Sequence, residues 1–218
     1  MSLLEVNGLG YQVGQQQILK DISFSLNEQE VLTISGPSGS GKSTLARILA
    51  TLLSKTSGTV TYKDKEIDSY DPIEYRRHVS YCFQQPSLFG NTVRDNLQFP
   101  YDIRNQPFDE QHAKQSLELV DLNANYLDKA ITELSGGEKQ RVAMLRNVMF
   151  LPEVLILDEV TAGLDEDSKQ IVHKMIEHFN VDNKITLIII THDQQEMDHA
   201  SRLITIENGE LKGDVSHA

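Results

Sequence analysis

Gly36-Pro37-Ser38-Gly39-Ser40-Gly41-Lys42-Ser43, followed by Thr44, carries the most specific chemistry in the chain. It follows the short apolar run Val31-Leu32-Thr33-Ile34-Ser35 and precedes a helical apolar pattern. That order of strand, glycine loop and helix is what a phosphate cradle requires. Glycines let the backbone wrap an anion so that several N–H groups converge on it, and the helix adds its positive end. Lys42 is then placed to reach the β- and γ-phosphates, and the Ser43 hydroxyl to help hold Mg²⁺. A flexible Gly/Ser turn is the plainer alternative, but it asks for neither the Lys-Ser pair nor this spacing.

Two further positions belong to the same chemistry. Asp158 follows the aliphatic run Val154-Leu155-Ile156-Leu157, as a carboxylate presented at a strand end to orient hydrated Mg²⁺ would. Glu159 faces elsewhere and suits polarisation of an attacking water. His192 ends the run Ile185 to Ile190-Thr191 and is placed to hydrogen-bond a γ-phosphate and to hold that water in line with Glu159. Phosphoryl transfer to water leaves a protein little covalent work, so positioning and charge neutralisation are what these residues supply.

Leu134-Ser135-Gly136-Gly137-Glu138 is a second informative stretch. Ser135 as N-cap and Glu138 three residues on form a capping box, which needs no ligand to explain it. The paired glycines are not explained by capping. They leave N–H groups uncovered at a helix start, which makes a second anion-binding end. Tyr11 lies in an alternating stretch, where an exposed ring could stack on an adenine; a lone aromatic there is more often strand packing, and only the companion motifs favour stacking.

These residues must be held by an α/β framework. Residues 3 to 35 alternate apolar and polar side chains, with turn residues at Asn7-Gly8 and Asn27, and predict a small antiparallel β region. A helix is expected over 42–53, a strand over 59–62, and another over 79–83 before Gln84-Gln85-Pro86 breaks the pattern. Helical signals then dominate to about residue 150, at 92–97, 109–120 and 138–149, which suggests an inserted helical subdomain. Strands 154–157 and 185–190, joined by a helix at 166–179, make a βαβ unit and so a parallel sheet, whose ligands gather beyond its carboxyl ends. The last ten residues are expected to fray.

The chain has 218 residues, 20 Lys and Arg against 32 Asp and Glu, a formal charge of −12 and one cysteine, Cys82. The acidic excess speaks against a basic nucleic-acid surface, and one thiol excludes an internal disulfide. No leader segment and no spanning apolar run is recognisable, so the chain reads as cytoplasmic, meeting a membrane only through another subunit.

GPSGSGKS, LSGGEKQR, VLILDE, the following Ala162-Gly163-Leu164-Asp165 and ITLIIITHD, in this order, resemble the nucleotide-binding subunits of ABC transporters over essentially the whole chain. The resemblance implies one cassette: a RecA-like parallel core and β subdomain from 1–84 and 151–218, with the helical subdomain at about 85–150. It implies an ATPase with ATP and Mg²⁺, and a head-to-tail homodimer in which Ser135, Gly136 and Gly137 of one copy close over the nucleotide held by Lys42 of the other. It also implies Tyr11 as the adenine-stacking ring, Gln84 near Mg²⁺ and the water, Asp165 at the dimer contact, and an integral membrane permease as partner. VSYCFQQPSLFGNTVRDNLQFPYDIRN and QRVAMLRNVMF are further similar to Fet-type iron-export subunits. Two positions depart from the common pattern: Glu138 stands where many cassettes carry glutamine, and Gly163 where alanine is commoner. The rival reading is a soluble ABC-type ATPase of repair, translation or chromosome work. A third is an ATP-gated module without turnover.

Overall fold

A computed structural model describes residues 2–216. The strands are β1 (Ser2–Val13), β2 (Gln16–Asn27), β3 (Val31–Ser35), β4 (Ser57–Tyr62), β5 (Lys65–Glu66), β6 (Val79–Cys82), β7 (Val154–Asp158), β8 (Thr186–Ile190), β9 (Arg202–Glu207) and β10 (Glu210–Ser216). The α-helices are α1 (Lys42–Leu49), α2 (Pro72–His78), α3 (Val93–Asp102), α4 (Glu110–Glu118), α5 (Gly136–Val148), α6 (Glu166–Val181) and α7 (Gln194–Asp198).

Four strands form an antiparallel sheet in the order β2-β1-β4-β5. The alternation that predicts it carries a bulge. Leu4 and Val6 face the core, and strict period two would turn Leu9 outward; a register shift between Val6 and Leu9, with Gly8 at φ +60°, returns Leu9 to the core. Asn7-Gly8 is therefore a bulge inside β1 and not the expected turn. Each such fully buried aliphatic side chain contributes about 1.5–3 kcal/mol.

The second sheet runs β10-β9-β3-β8-β7-β6, with β3 parallel to β8 and β9, and β7 parallel to β8. Its central strands are aliphatic because nearly every position is buried. The tail is not frayed: β10 pairs antiparallel with β9 across Asn208-Gly209, both at positive φ, as a two-residue hairpin demands. Residues 217 and 218 lie outside the described residues.

Helix α1 stops at Leu49, four residues before the expected end. Thr51 takes φ +53°, and the Leu52 amide reaches back to the Arg47 carbonyl, which closes the helix in a Schellman turn. The Tyr75 hydroxyl donates to the Leu49 carbonyl and satisfies an end the helix would otherwise leave open.

The chain forms two compact units. The first comprises residues up to Tyr81, Glu153–Glu159 and those from Lys184 onward; the second comprises Cys82–Pro152 and Val160–Asn183. The division expected from the sequence assigns 151–218 wholly to the core, whereas α6 groups with the helices. The reason is local: a Cβ on Gly137 of α5 would lie 2.3 Å from Ser168 Oγ of α6, so these helices touch backbone to side chain.

Candidate functional site

The glycine loop between β3 and α1 is shaped by what presses on it. Gly36 has φ +135°, and a Cβ there would sit 2.0 Å from the Ile206 carbonyl oxygen of β9. Gly41 has φ +107°, and its Cβ would meet Leu19 of β2 at 2.7 Å. Only glycine meets both demands. The Gly209 amide donates to the Ser40 carbonyl at 3.2 Å, so the β9–β10 turn braces the loop. Pro37, Ser38 and Gly39 stay exposed, and space around Gly39 is open. Ser43 and Thr44 are half-buried as α1 begins.

Lys42 is 5% exposed, and its ammonium donates to the carbonyls of Gly36 at 2.7 Å and Pro37 at 3.0 Å. A cation is thus folded back across its own loop on two neutral acceptors. Ser40 Oγ is buried without a hydrogen-bond partner. Positive φ glycines, an inward cation and an orphaned hydroxyl fit a polyphosphate.

Beside the loop, β7 delivers Asp158, 3% exposed. Ser43 Oγ donates to its Oδ1 at 3.0 Å, and the Tyr81 hydroxyl donates to Oδ2. Burial first, then the Asp158 charge, push the Tyr81 phenol far above its ordinary range, while Arg47 opposes them; it remains a donor. Hydroxyl and carboxylate oxygens converging in this way are the hard donors that Mg²⁺ takes alongside phosphate.

Glu159 adopts φ +50°, left-handed backbone that a glutamate rarely visits, and its amide donates to the Ile190 carbonyl at 3.0 Å. Strain of this kind gathers at working sites. His192 follows β8, and its Nδ1 lies 3.5 Å from Glu159 Oε2, with side-chain exposures of 66% and 18%. Loop, aspartate, glutamate and histidine all stand at carboxyl ends of parallel strands.

Tyr11 is half-buried against the core of the first unit and sits in β1 opposite Leu19, the residue that touches Gly41. The Tyr11 backbone is therefore one strand away from the Leu19 that borders the loop.

Ser135, Gly136, Gly137 and Glu138 belong to the second unit, as do Gln84 and Asp165. Ser135 Oγ accepts from the Glu138 amide at 3.2 Å, and Glu138 accepts from the Ser135 amide at 2.7 Å, completing the capping box. A side chain on Gly136 would meet nothing within 4 Å, whereas one on Gly137 would strike Ser168. Gly137→Ala is expected to cost about 1–3 kcal/mol through separation of α5 and α6, and Gly136→Ala under about 0.5 kcal/mol. Equal denaturation midpoints for the two variants would refute this. Asp165 is the N-cap of α6, accepting from Ser168 N at 2.8 Å and Ser168 Oγ at 2.9 Å. Those bonds hold its carboxyl below the usual range. Gly163 has φ +74°, which explains glycine where alanine would be strained. Gln84 is exposed.

Two contributors escape a reading of the sequence. Asn208-Gly209 carries a signal, since that dipeptide between alternating apolar residues marks a hairpin. Tyr81 carries none: its strand is visible, but its partner lies 77 residues away.

A glycine loop closed by lysine and serine after β3, with an aspartate–glutamate pair at the end of β7, two strands away across β8, defines a P-loop nucleoside triphosphatase. A family profile described as ABC transporter matches residues 19–162. The chain is 46% identical over 205 residues, 94% of itself and 91% of the relative, to the "Probable iron export ATP-binding protein FetA" of Escherichia coli (strain K12). It is 33% identical to the energy-coupling factor transporter ATP-binding protein EcfA1 of Enterococcus faecalis (strain ATCC 700802 / V583), covering 97% of this chain and 78% of that one. A solved structure of the ATP-binding cassette MJ0796, described as dimeric, post-hydrolysis and bound to ADP and Pi, superposes with TM-score 0.87, 25% identity and 98% coverage of both chains. The chain belongs to the ABC transporter family. It is an ATP-binding, ATP-hydrolysing transporter subunit with the expected cassette fold, combining a parallel sheet with an antiparallel one.

Proposed function

We propose that this ATPase binds ATP with Mg²⁺ at two sites shared between head-to-tail copies of itself, and drives a separate membrane permease that exports a metal, iron being the favoured cargo. The observation that carries the shared site is that two anion-binding ends belong to different compact units. Lys42, Ser43, Asp158, Glu159 and His192 lie in one unit, and Ser135–Glu138 in the other. The dimeric state of the structural neighbour supports pairing, and the 46% identity to a probable iron export ATP-binding protein of E. coli supports iron export.

In this reading the amides of residues 36–43 bind the phosphates, and Lys42 exchanges its two carbonyl acceptors for phosphate oxygens. Ser43 and Asp158 hold Mg²⁺, kept in place by Tyr81; when bound, the ion neutralises charge developing on the phosphates. Glu159 orients and polarises the attacking water, and His192 steadies Glu159 and the γ-phosphate. Gln84 senses ion and water, Tyr11 stacks on adenine, Gly136 and Gly137 close over the partner copy's nucleotide, and Asp165 lies at the dimer contact. ATP that touches both copies binds the closed dimer better and so shifts the population toward it; hydrolysis removes that difference.

Among the described residues no helix is long and apolar enough to cross a membrane, so transport needs a spanning partner. The partner's docking surface is assigned to the segment 84–98. It borders a small recess lined by Phe83, Gln85, Pro86 and Ser87 together with Gln140 and Arg146 of α5. The subunit then works at the cytoplasmic face of the membrane.

Expression with the membrane protein encoded beside it should give a stable complex, and cells holding both should lose loaded iron several-fold faster than cells holding either alone. Co-purification with ribosomes or nucleic acid instead would overturn the transport assignment. A stable complex that leaves iron efflux unchanged would overturn the cargo alone.

A further inference from the structure

Glu138 puts a carboxylate beside the helix end that is assigned to meet a nucleotide phosphate, and two equal charges facing each other would oppose closure. The second unit answers that problem within itself. Glu138 Oε2 is taken by the Ser135 amide at 2.7 Å. Its other oxygen, Oε1, accepts from the Tyr126 hydroxyl at 2.7 Å, and Lys129 Nζ stands 3.8 Å from that same atom. Lys129 also lies over the Tyr126 ring, 3.9 Å from its centroid. Tyr126 touches both charged groups, and residues 124–128 form a 3-10 turn that leads directly from it to Lys129. The Glu138–Lys129 pair is sheltered, with side-chain exposures of 17% and 25%, so solvent screens it less than an open surface pair.

We propose that Lys129 and Tyr126 are positioning residues that hold and neutralise Glu138, so that the Ser135–Gly137 turn still attracts phosphate although the motif carries a carboxylate. The proposal rests on the shared-site reading above. Burial alone would raise the Glu138 carboxyl; the Tyr126 hydroxyl, the Ser135 amide and Lys129 together bring it below its ordinary value, so the charge persists and needs its counter-charge. A glutamine in place of Glu138 would cap the helix equally well and would need no cation. The lysine and the glutamate therefore make sense as a pair.

The test uses full-length chain carrying Glu159→Gln, which traps ATP, and reads by light scattering the ATP concentration that gives half-maximal dimer. Lys129→Met should raise that concentration about fivefold at low salt, the upper range for a partly sheltered pair. The effect should shrink only in part in about 0.5 M salt, where the Debye length of about 4 Å is close to the 3.8 Å separation of the sheltered pair. Lys129→Arg, which keeps the charge, should stay within about twofold. In a chain that also carries Glu138→Gln, Lys129→Met should change little, because the charge it compensates is gone. Tyr126→Phe should shift the trapped dimer in the same direction as Lys129→Met. A loss of the same size with and without Glu138→Gln, or one that is insensitive to salt, would show a packing role and overturn the proposal; so would no loss at all. If the Glu159→Gln parent forms no dimer at any ATP concentration, it is the shared-site reading that fails.

Discussion

Glu159→Gln is expected to lower ATP turnover by about 10²–10⁴-fold while ATP affinity changes less than about threefold. The backbone at residue 159 is already held at φ +50° by its bond to the Ile190 carbonyl, and glutamine is isosteric, so the turn survives the change. What disappears is the negative charge that polarises water and the partner that His192 meets at 3.5 Å. Binding is assigned instead to the glycine loop, Lys42 and the Ser43–Asp158 pair, whose hydrogen bonds do not involve residue 159. Single-turnover hydrolysis together with a nucleotide-binding isotherm separates the two effects. A variant that turns over normally would remove Glu159 from its role, and one that no longer binds would show that residue 159 shapes the loop.

Lys42→Ala is expected to weaken ATP binding by about 100-fold, since two charge-assisted bonds to phosphate, each worth about 1.5–3 kcal/mol, are lost and one is partly replaced by water. The lysine is buried to 5% exposure and donates to the carbonyls of Gly36 and Pro37, so its removal also leaves both acceptors short of a donor. Lys42→Met fills the same volume and isolates the charge from the packing. Both variants should lose affinity alike in a fluorescent-nucleotide titration while melting within a few degrees of the parent. If methionine restores affinity, the lysine serves the loop's packing and not the phosphate.

Much of this is legible from local pattern. The strand–loop–helix order at 31–49 needs only apolar periodicity and glycine, and Ser135–Glu138 announces its cap three residues apart. The strand-end acids are readable because four buried aliphatics precede them. The failures have equally definite causes. The Asn7-Gly8 pair reads as a turn because a bulge uses the same residues; only pairing with β2 and β4 shows that the strand continues. The end of α1 at Leu49 depends on Thr51 in left-handed backbone, stabilised by contacts from α2 that no local window contains. The frayed tail is an expectation about chain ends in general, and the hairpin at Asn208-Gly209 outweighs it.

Residue type and short spacing were enough to nominate the chemistry: which residues are proposed to bind phosphate, which carboxylate to orient the ion and which the water. A few neighbouring dihedrals suffice to express those roles. What these residues touch was decided by the folded chain. It sets Tyr81 on Asp158 across 77 positions, Lys129 and Tyr126 on Glu138, and the β9–β10 turn on Ser40. The physical reason is that a side-chain partner is fixed by sheet register and helix packing, where a shift of one residue turns a side chain to the opposite face.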